Sequence, residues 1–155
     1  MRVWRLCRQA HARSDGEGAR RYGGRWNERG TALVYTSETA SLAALEYFVH
    51  LDPEDAPPDL ILIPADIPAS VVVRYVRAEE LPSDWRSVPG PDALARIGTA
   101  WAQSLDTAVL SVPSAIIPEE RNYLINPAHS AFRDITFGSA RPFSFDPRIW
   151  KRSRR

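Results

Sequence analysis

A chain of 155 residues, 44% of them hydrophobic and with a formal net charge of +1, has the material for one domain around one core, because two folded units would each sit near the lower size limit. Its longest apolar runs, such as "LILIPADI" from Leu60, fall far short of the roughly 20 residues that span a bilayer, and "MRVWRLCRQAHARSD" holds no signal-peptide apolar block, so a cytoplasmic protein without membrane contact is expected. The single cysteine, Cys7, excludes an internal disulfide and leaves no zinc-ligand spacing.

In chain order, "VWRL" from Val3 begins as a strand, and residues 11–24 read as an arginine- and glycine-containing loop. The strand "ALVYT" ends at Ser37, which reads as the N-cap of a helix reaching about His50, with Glu38 in its first turn. "DPEDAPP" breaks the chain, "LILIPADI" and "VVVRYV" read as strands, and "PDALARIGTAWAQSL" reads as a helix opened by Pro91. "AVLSVPSAIIP" is a strand run interrupted by Pro113, which predicts an edge or a bulge. After "RNYLI", a turn at Asn126-Pro127 and short strands around Ile135 and Phe143 complete an α+β pattern in which strands outnumber helices. Residues 1–150 are expected to form one compact domain with a mixed β-core, and 151–155 a basic, solvated tail.

Charge is distributed unevenly. Residues 1–30 hold eight arginines against three acids, 31–120 four basic residues against fourteen acids, and 121–155 eight against two. Arginine supplies nineteen of the twenty basic residues; a genome-wide codon bias is the plain reading of most of them, but arginine's planar fork also suits phosphate pairs. On a helical wheel for "TSETASLAALEYFVH", Leu42, Leu45, Phe48 and Val49 share a face, with Glu46 next to Leu42 and about 60° from Val49. A carboxylate beside a buried stripe is costly unless it is paired, so Glu46 is either joined to an arginine or aimed into a cleft. "GGRWN" likewise allows two readings. Gly23 and Gly24 permit a close backbone approach that sets Arg25 at a phosphate-binding turn, or the stretch is a hairpin turn with a solvated arginine. Trp26 reads as core. Tyr35, ten residues after Arg25 and eleven before Glu46, allows all three to converge at a strand-to-helix junction.

Other chemistries are poorly supported. The chain has neither G-x-x-x-x-G-K-[ST] nor G-x-G-x-x-G, and Ser114 lacks the glycines of a nucleophile elbow. Cys7 and His11 are two potential ligands, too few for a metal site.

Taken together, "VWRL", "GGRWNERGTALVYTSETASLAALEYFVH" and "VPSAIIPEERNYLINPAHSAF" resemble the RES domain, the toxin half of bacterial RES/Xre toxin-antitoxin pairs. The recurring arginine, glutamate and serine of that family match Arg25, Glu46 and Ser114. The resemblance implies a fold similar to ADP-ribosyltransferase toxins and cleavage of the nicotinamide-ribose bond of NAD⁺, with water or phosphate as acceptor or, alternatively, a host protein. It implies no cofactor and no metal, NAD⁺ being the substrate. A carboxylate near the ribose stabilises the oxocarbenium-like state of such a reaction, which suits Glu46. Arg25 would hold the pyrophosphate with help from Arg5, and Gly24 would bring the backbone up to it. Tyr35 would stack on nicotinamide or orient the ribose, Ser114 would hydrogen-bond the substrate, and His129 is a further candidate for the cleft lining. The implied partner is an Xre-type helix-turn-helix antitoxin, with DNA contacted only through it. An RNA-cleaving toxin using Glu46, arginines and a histidine is the weaker alternative. A non-catalytic binding module would leave Glu46 without a reason.

Overall fold

Strand β1 (Arg2–Arg8) organises the structure. It pairs antiparallel with β3 (Leu60–Asp66) from Arg2↔Asp66 to Arg8↔Leu60, and on its other side meets β2 (Val34–Ser37) through Trp4↔Ser37. The computed structural model describes residues 1–52 and 56–150; the expected tail at 151–155 and the centre of the "DPEDAPP" break lie outside the described residues. Beyond β2 the sheet continues through β6 (Arg121–Ile125) and β5 (Val109–Pro113) to β4 (Val73–Tyr75), while β7 (Thr136–Phe137) and β8 (Arg141–Pro142) pair with β3. The β4–β5 pair is parallel, so the eight-stranded sheet is mixed, as the α+β reading expects.

Cross-strand partners share a face, so the register sorts the side chains. Val3, Val34, Val109, Tyr123 and Ile125 build one core on one side of the sheet. On the other side, Trp4 and Leu6 pack beneath helix α2 (Ala40–Phe48), and Leu110, Val112 and Leu124 pack beneath helix α3 (Asp92–Ser104) with Trp26, Trp85 and Trp101. The two helices therefore cover different ends of one sheet face. Between them runs a strip of β2 and β6 that carries Ser37 and its partner Asn122. Because both faces are covered, all five residues of β5 are buried.

Several elements depart from the sequence reading for identifiable reasons. Helix α1 (Glu17–Tyr22) forms inside the expected loop; it buries no residue and therefore shows no apolar period, and Glu17 holds it by pairing with Arg20 and Arg21 at 2.7 and 2.8 Å. Helix α2 is capped by Thr39, whose Oγ1 accepts from Leu42 N–H at 3.0 Å, and not by Ser37, whose hydroxyl is engaged elsewhere. It ends at Phe48, leaving Val49 51% exposed and outside the expected stripe. Pro113 marks neither an edge nor a bulge: it is the last residue of a strand flanked by β4 and β6, paired with Arg121. "VVVRYV" supplies only the three residues of β4, and the last two strands lie beside the expected Ile135 and Phe143. Among the described residues, no helix is long and apolar enough to cross a membrane.

Candidate active site

Glu46 leans from α2 toward the strip of the sheet that carries Ser37 and Asn122. Its Oε1 accepts from Asn122 Nδ2 at 2.5 Å and from Ser114 Oγ at 2.8 Å. Ser37 Oγ in turn donates to Asn122 Oδ1 at 2.7 Å, which fixes the amide so that its NH₂ faces the carboxylate. Ser114 is fully buried just beyond β5, and its Oγ accepts the N–H groups of Ile116 and Ile117, both at 3.1 Å. With both lone pairs filled, the hydroxyl has one proton to give and gives it to Glu46. Ser114 is thereby a holder of the carboxylate and not a nucleophile. No arginine pairs with Glu46 among the described residues, so its carboxylate is held by a hydroxyl and an amide in place of a cation. One carboxylate oxygen is fully engaged, and no protein donor reaches Oε2 among the described residues.

The "GGRWN" turn is built on different contacts from those expected. Gly24 N–H donates to Asn27 O at 2.9 Å, closing a turn with Arg25 and Trp26 at its centre. Asn27, 1% exposed, donates to Ala19 O and Thr31 O and accepts the Tyr35 hydroxyl at 2.7 Å, while that hydroxyl accepts from Trp26 N–H at 3.1 Å. A Cβ at Gly24 would lie 2.6 Å from Tyr35 Oη. The glycine therefore makes room for the phenol rather than for a ligand, and only Gly23 of the pair has a positive φ, 73°. Burial holds the Tyr35 phenol far above its ordinary titration range, outweighing the Trp26 N–H and the nearby Arg25 charge, so it remains a neutral donor. Trp26 is in the core, as expected. Tyr35→Phe would leave Asn27 Oδ1 and Trp26 N–H without their partner. It should lower unfolding free energy by about 1–3 kcal/mol, read from the urea midpoint. An unchanged midpoint would contradict this account of the turn.

Arg25 is half-buried beside that turn. Its Nη1 donates to Trp85 O at 2.8 Å and its Nη2 to Ser87 O at 3.1 Å, which places it but leaves three of its five N–H groups free of these bonds. Tyr35, two residues before Ser37 on the same face of β2, links the two halves of the site. A row thus runs from Arg25 past Tyr35 to Ser37, Asn122 and Glu46.

Two expected members lie apart from this row. Arg5 alternates with Trp4 on β1 and so lies on the opposite sheet face, where its Nη1 donates to His11 O at 2.9 Å and Arg13 O at 3.2 Å. His129 follows the C-terminal end of β6, whereas Asn122 lies near the strand's start; its Nδ1 accepts from Ala131 N–H and caps the 3₁₀ turn Ser130–Asp134. Neither bonds to the Glu46 group.

Residues 2–146 match the RES domain family. The chain belongs to that family. It is 38% identical over 156 residues to the Prs ADP-ribosylating toxin of Sphingobium sp. (strain YBL2), covering 97% of each chain. It is 36% identical over 153 residues to the Toxin Res of Yersinia enterocolitica, covering 96% of this chain and 99% of that one. Among solved structures it is similar to the Mycobacterium tuberculosis MbcT-MbcA toxin-antitoxin complex, with a TM-score of 0.72 over 96% of this chain and 85% of that chain; at 17% identity the likeness speaks to the fold.

Within this RES domain, the arginine, glutamate and serine matched from sequence occupy the ends of one row, with Glu46 and Ser114 in direct contact. The sequence reading names neither Asn122 nor Asn27, and takes Ser37 only as a helix cap. The only signal for Asn122 was a polar residue at the start of an apolar strand; its partners follow from the Ser37↔Asn122 register, which topology alone reveals.

Proposed function

We propose that this RES domain is a toxin that cleaves the nicotinamide-ribose bond of NAD⁺ and passes ADP-ribose to water or phosphate. The observation that carries the reading is the Glu46 carboxylate, held through one oxygen by Ser114 and Asn122 and paired with no arginine among the described residues. In the reaction the C–N glycosidic bond breaks and its electron pair leaves with nicotinamide, which departs neutral. The ribose is left as an oxocarbenium ion facing Glu46 Oε2. A fixed negative charge there stabilises the transition state more than the ground state, since positive charge on the sugar grows as the bond stretches. Water or phosphate then adds to the sugar carbon and loses a proton to solvent.

Arg25, at the far end of the row, supports the pyrophosphate through the N–H groups its carbonyl partners leave free, and the Tyr35 ring lies between. Ser114 and Asn122 act by orienting Glu46. No metal or resident cofactor is assigned, because nicotinamide is already a good leaving group. Arg25→Lys keeps the charge but loses the fork. It should raise KM for NAD⁺ roughly tenfold with a smaller effect on kcat. Unchanged kcat/KM would remove Arg25 from the site.

A second reading, transfer of ADP-ribose to a protein, is favoured by the relative named as a Prs ADP-ribosylating toxin, 38% identical over nearly the full chain. Adenine-labelled NAD⁺ incubated with the protein, with and without phosphate and cell extract, separates the two. Label in free ADP-ribose or its phosphorylated form supports the first, and label retained on an extract protein supports the second. RNA cleavage is disfavoured because no histidine joins the Glu46 network among the described residues. An NAD⁺-consuming enzyme in the cytoplasm requires restraint, and the toxin-antitoxin complex of the fold neighbour supports an antitoxin as partner; the family resemblance makes that partner an Xre-type helix-turn-helix protein, contacting DNA on behalf of the complex. Presenting an acidic group to Arg25 would be its simplest means of closing the row.

A further inference from the structure

The segment "WRSVPG", Trp85–Gly90, holds the Arg25 end of the row and also reaches Ala115, the residue after Ser114. Trp85 is buried against Leu94 and Trp101 and anchors it. Internal bonds stiffen it: Ser87 N–H donates to Asp84 O at 2.8 Å and Ser87 Oγ to Pro89 O at 3.0 Å. The carbonyls of Trp85 and Ser87 hold the two arms of the Arg25 guanidinium, and Arg86 Nε donates to Ala115 O, the residue after Ser114, at 3.0 Å. Beneath the guanidinium lies Gly90. A Cβ there would sit 2.7 Å from Arg25 Nη1 and 3.1 Å from its Cζ, and no backbone atom is among its nearest neighbours. Gly90 has no positive φ, so alanine is conformationally acceptable at the position. What the missing methyl makes room for is the tip of Arg25.

We infer that Trp85–Gly90 is a positioning segment for Arg25, its two carbonyls aiming the guanidinium and Gly90 leaving the space that this aim requires. The inference rests on the NAD⁺ reading for its kinetic consequence and on the contacts above for its geometry. A carbonyl pair is well suited to the task. It fixes an arginine without neutralising it, whereas a carboxylate partner would compete with the pyrophosphate. The segment's tip is free to contact solvent, Val88 being 90% exposed, so its ordering depends on the Trp85 anchor and on Arg86.

Nicotinamide release by purified wild type, Gly90→Ala, Arg25→Lys and the double variant is the test, with Gly18→Ala as control because nothing lies within 4 Å of its added methyl. Gly90→Ala should raise KM for NAD⁺ roughly tenfold, leave kcat within about twofold and leave the melting temperature unchanged, since the displaced group is a flexible side-chain tip. Adding Gly90→Ala to Arg25→Lys should cost little further KM, because Nη1, the atom the methyl would meet at 2.7 Å, is already gone. Additive effects, or a Gly90→Ala variant with wild-type KM, would overturn the inference. Should Gly90→Ala fail to fold, Arg25→Lys/Gly90→Ala must fold as Arg25→Lys does; if it does not, the methyl meets something other than Arg25 and the inference also falls. A wild-type protein that releases no nicotinamide counts instead against the NAD⁺ reading.

Discussion

Glu46→Gln is expected to remain folded and to lose about 10²–10³-fold in kcat for nicotinamide release. Glutamine keeps the shape of the side chain, and its amide oxygen can accept from Ser114 Oγ and Asn122 Nδ2 as Glu46 Oε1 does. The surrounding network is thus preserved. What changes is the second position, where an NH₂ group with positive hydrogens replaces the carboxylate oxygen that the proposed reaction sets against the sugar. The interaction lost exists chiefly in the transition state, so kcat and kcat/KM should fall together while KM moves little. A Glu46→Gln enzyme with wild-type kcat would remove the carboxylate from the chemistry. A variant that unfolds would show instead that the negative charge holds α2 in place.

The largest expected stability effect is at Gly98 on α3. A Cβ there would lie 1.8 Å from Trp26 O and 2.9 Å from Trp26 C, both backbone atoms that cannot swing aside. Thr99, the next residue, accepts Glu28 N–H through its Oγ1 at 2.9 Å, so helix and turn are tied together right beside the glycine. Gly98→Ala must push α3 away from the turn, opening the cluster of Trp26, Leu94 and Trp101. We expect a loss of about 3 kcal/mol, at the upper end of overpacking effects, even though alanine is the better helix former. Because the same turn carries Arg25, any folded remainder should also bind substrate poorly. Urea denaturation checks this, and a midpoint equal to wild type would show that helix and turn are not in contact as described.

Legibility in the sequence followed the source of each signal. The strands "VWRL", "ALVYT" and "LILIPADI" and the helix after Pro91 were readable because each buries an apolar run or stripe. Helix α1 was not, since Glu17 and two arginines hold it without any buried residue. The start of α2 was misplaced because Ser37, a good cap by type, gives its proton to Asn122 on another strand. The site divides in the same way. Glu46 is conspicuous as a carboxylate beside an apolar stripe, Arg25 is one of two open readings of the "GGRWN" turn, and Ser114 enters through the family resemblance. Arg5 was placed in the cleft because its type suits phosphate. The alternation of "VWRL" does separate it from Trp4 and Leu6, but which face carries the cleft depends on where α2 packs. Gly24 was read as space for a ligand and proves to be space for Tyr35 Oη, a contact between residues eleven apart that spacing does not disclose.

In the proposed reaction, a carboxylate held by Ser114 and Asn122 promotes cleavage of the nicotinamide-ribose bond. The most direct test of this step is chromatographic quantification of nicotinamide from NAD⁺ incubated with purified wild type and Glu46→Gln, in the presence of phosphate and of cell extract so that every acceptor considered is available. Wild type should release nicotinamide in excess over enzyme, and the variant should release it about 10²–10³-fold more slowly. NAD⁺ left intact by folded wild-type protein, or equal release by the two proteins, would contradict the proposed reaction.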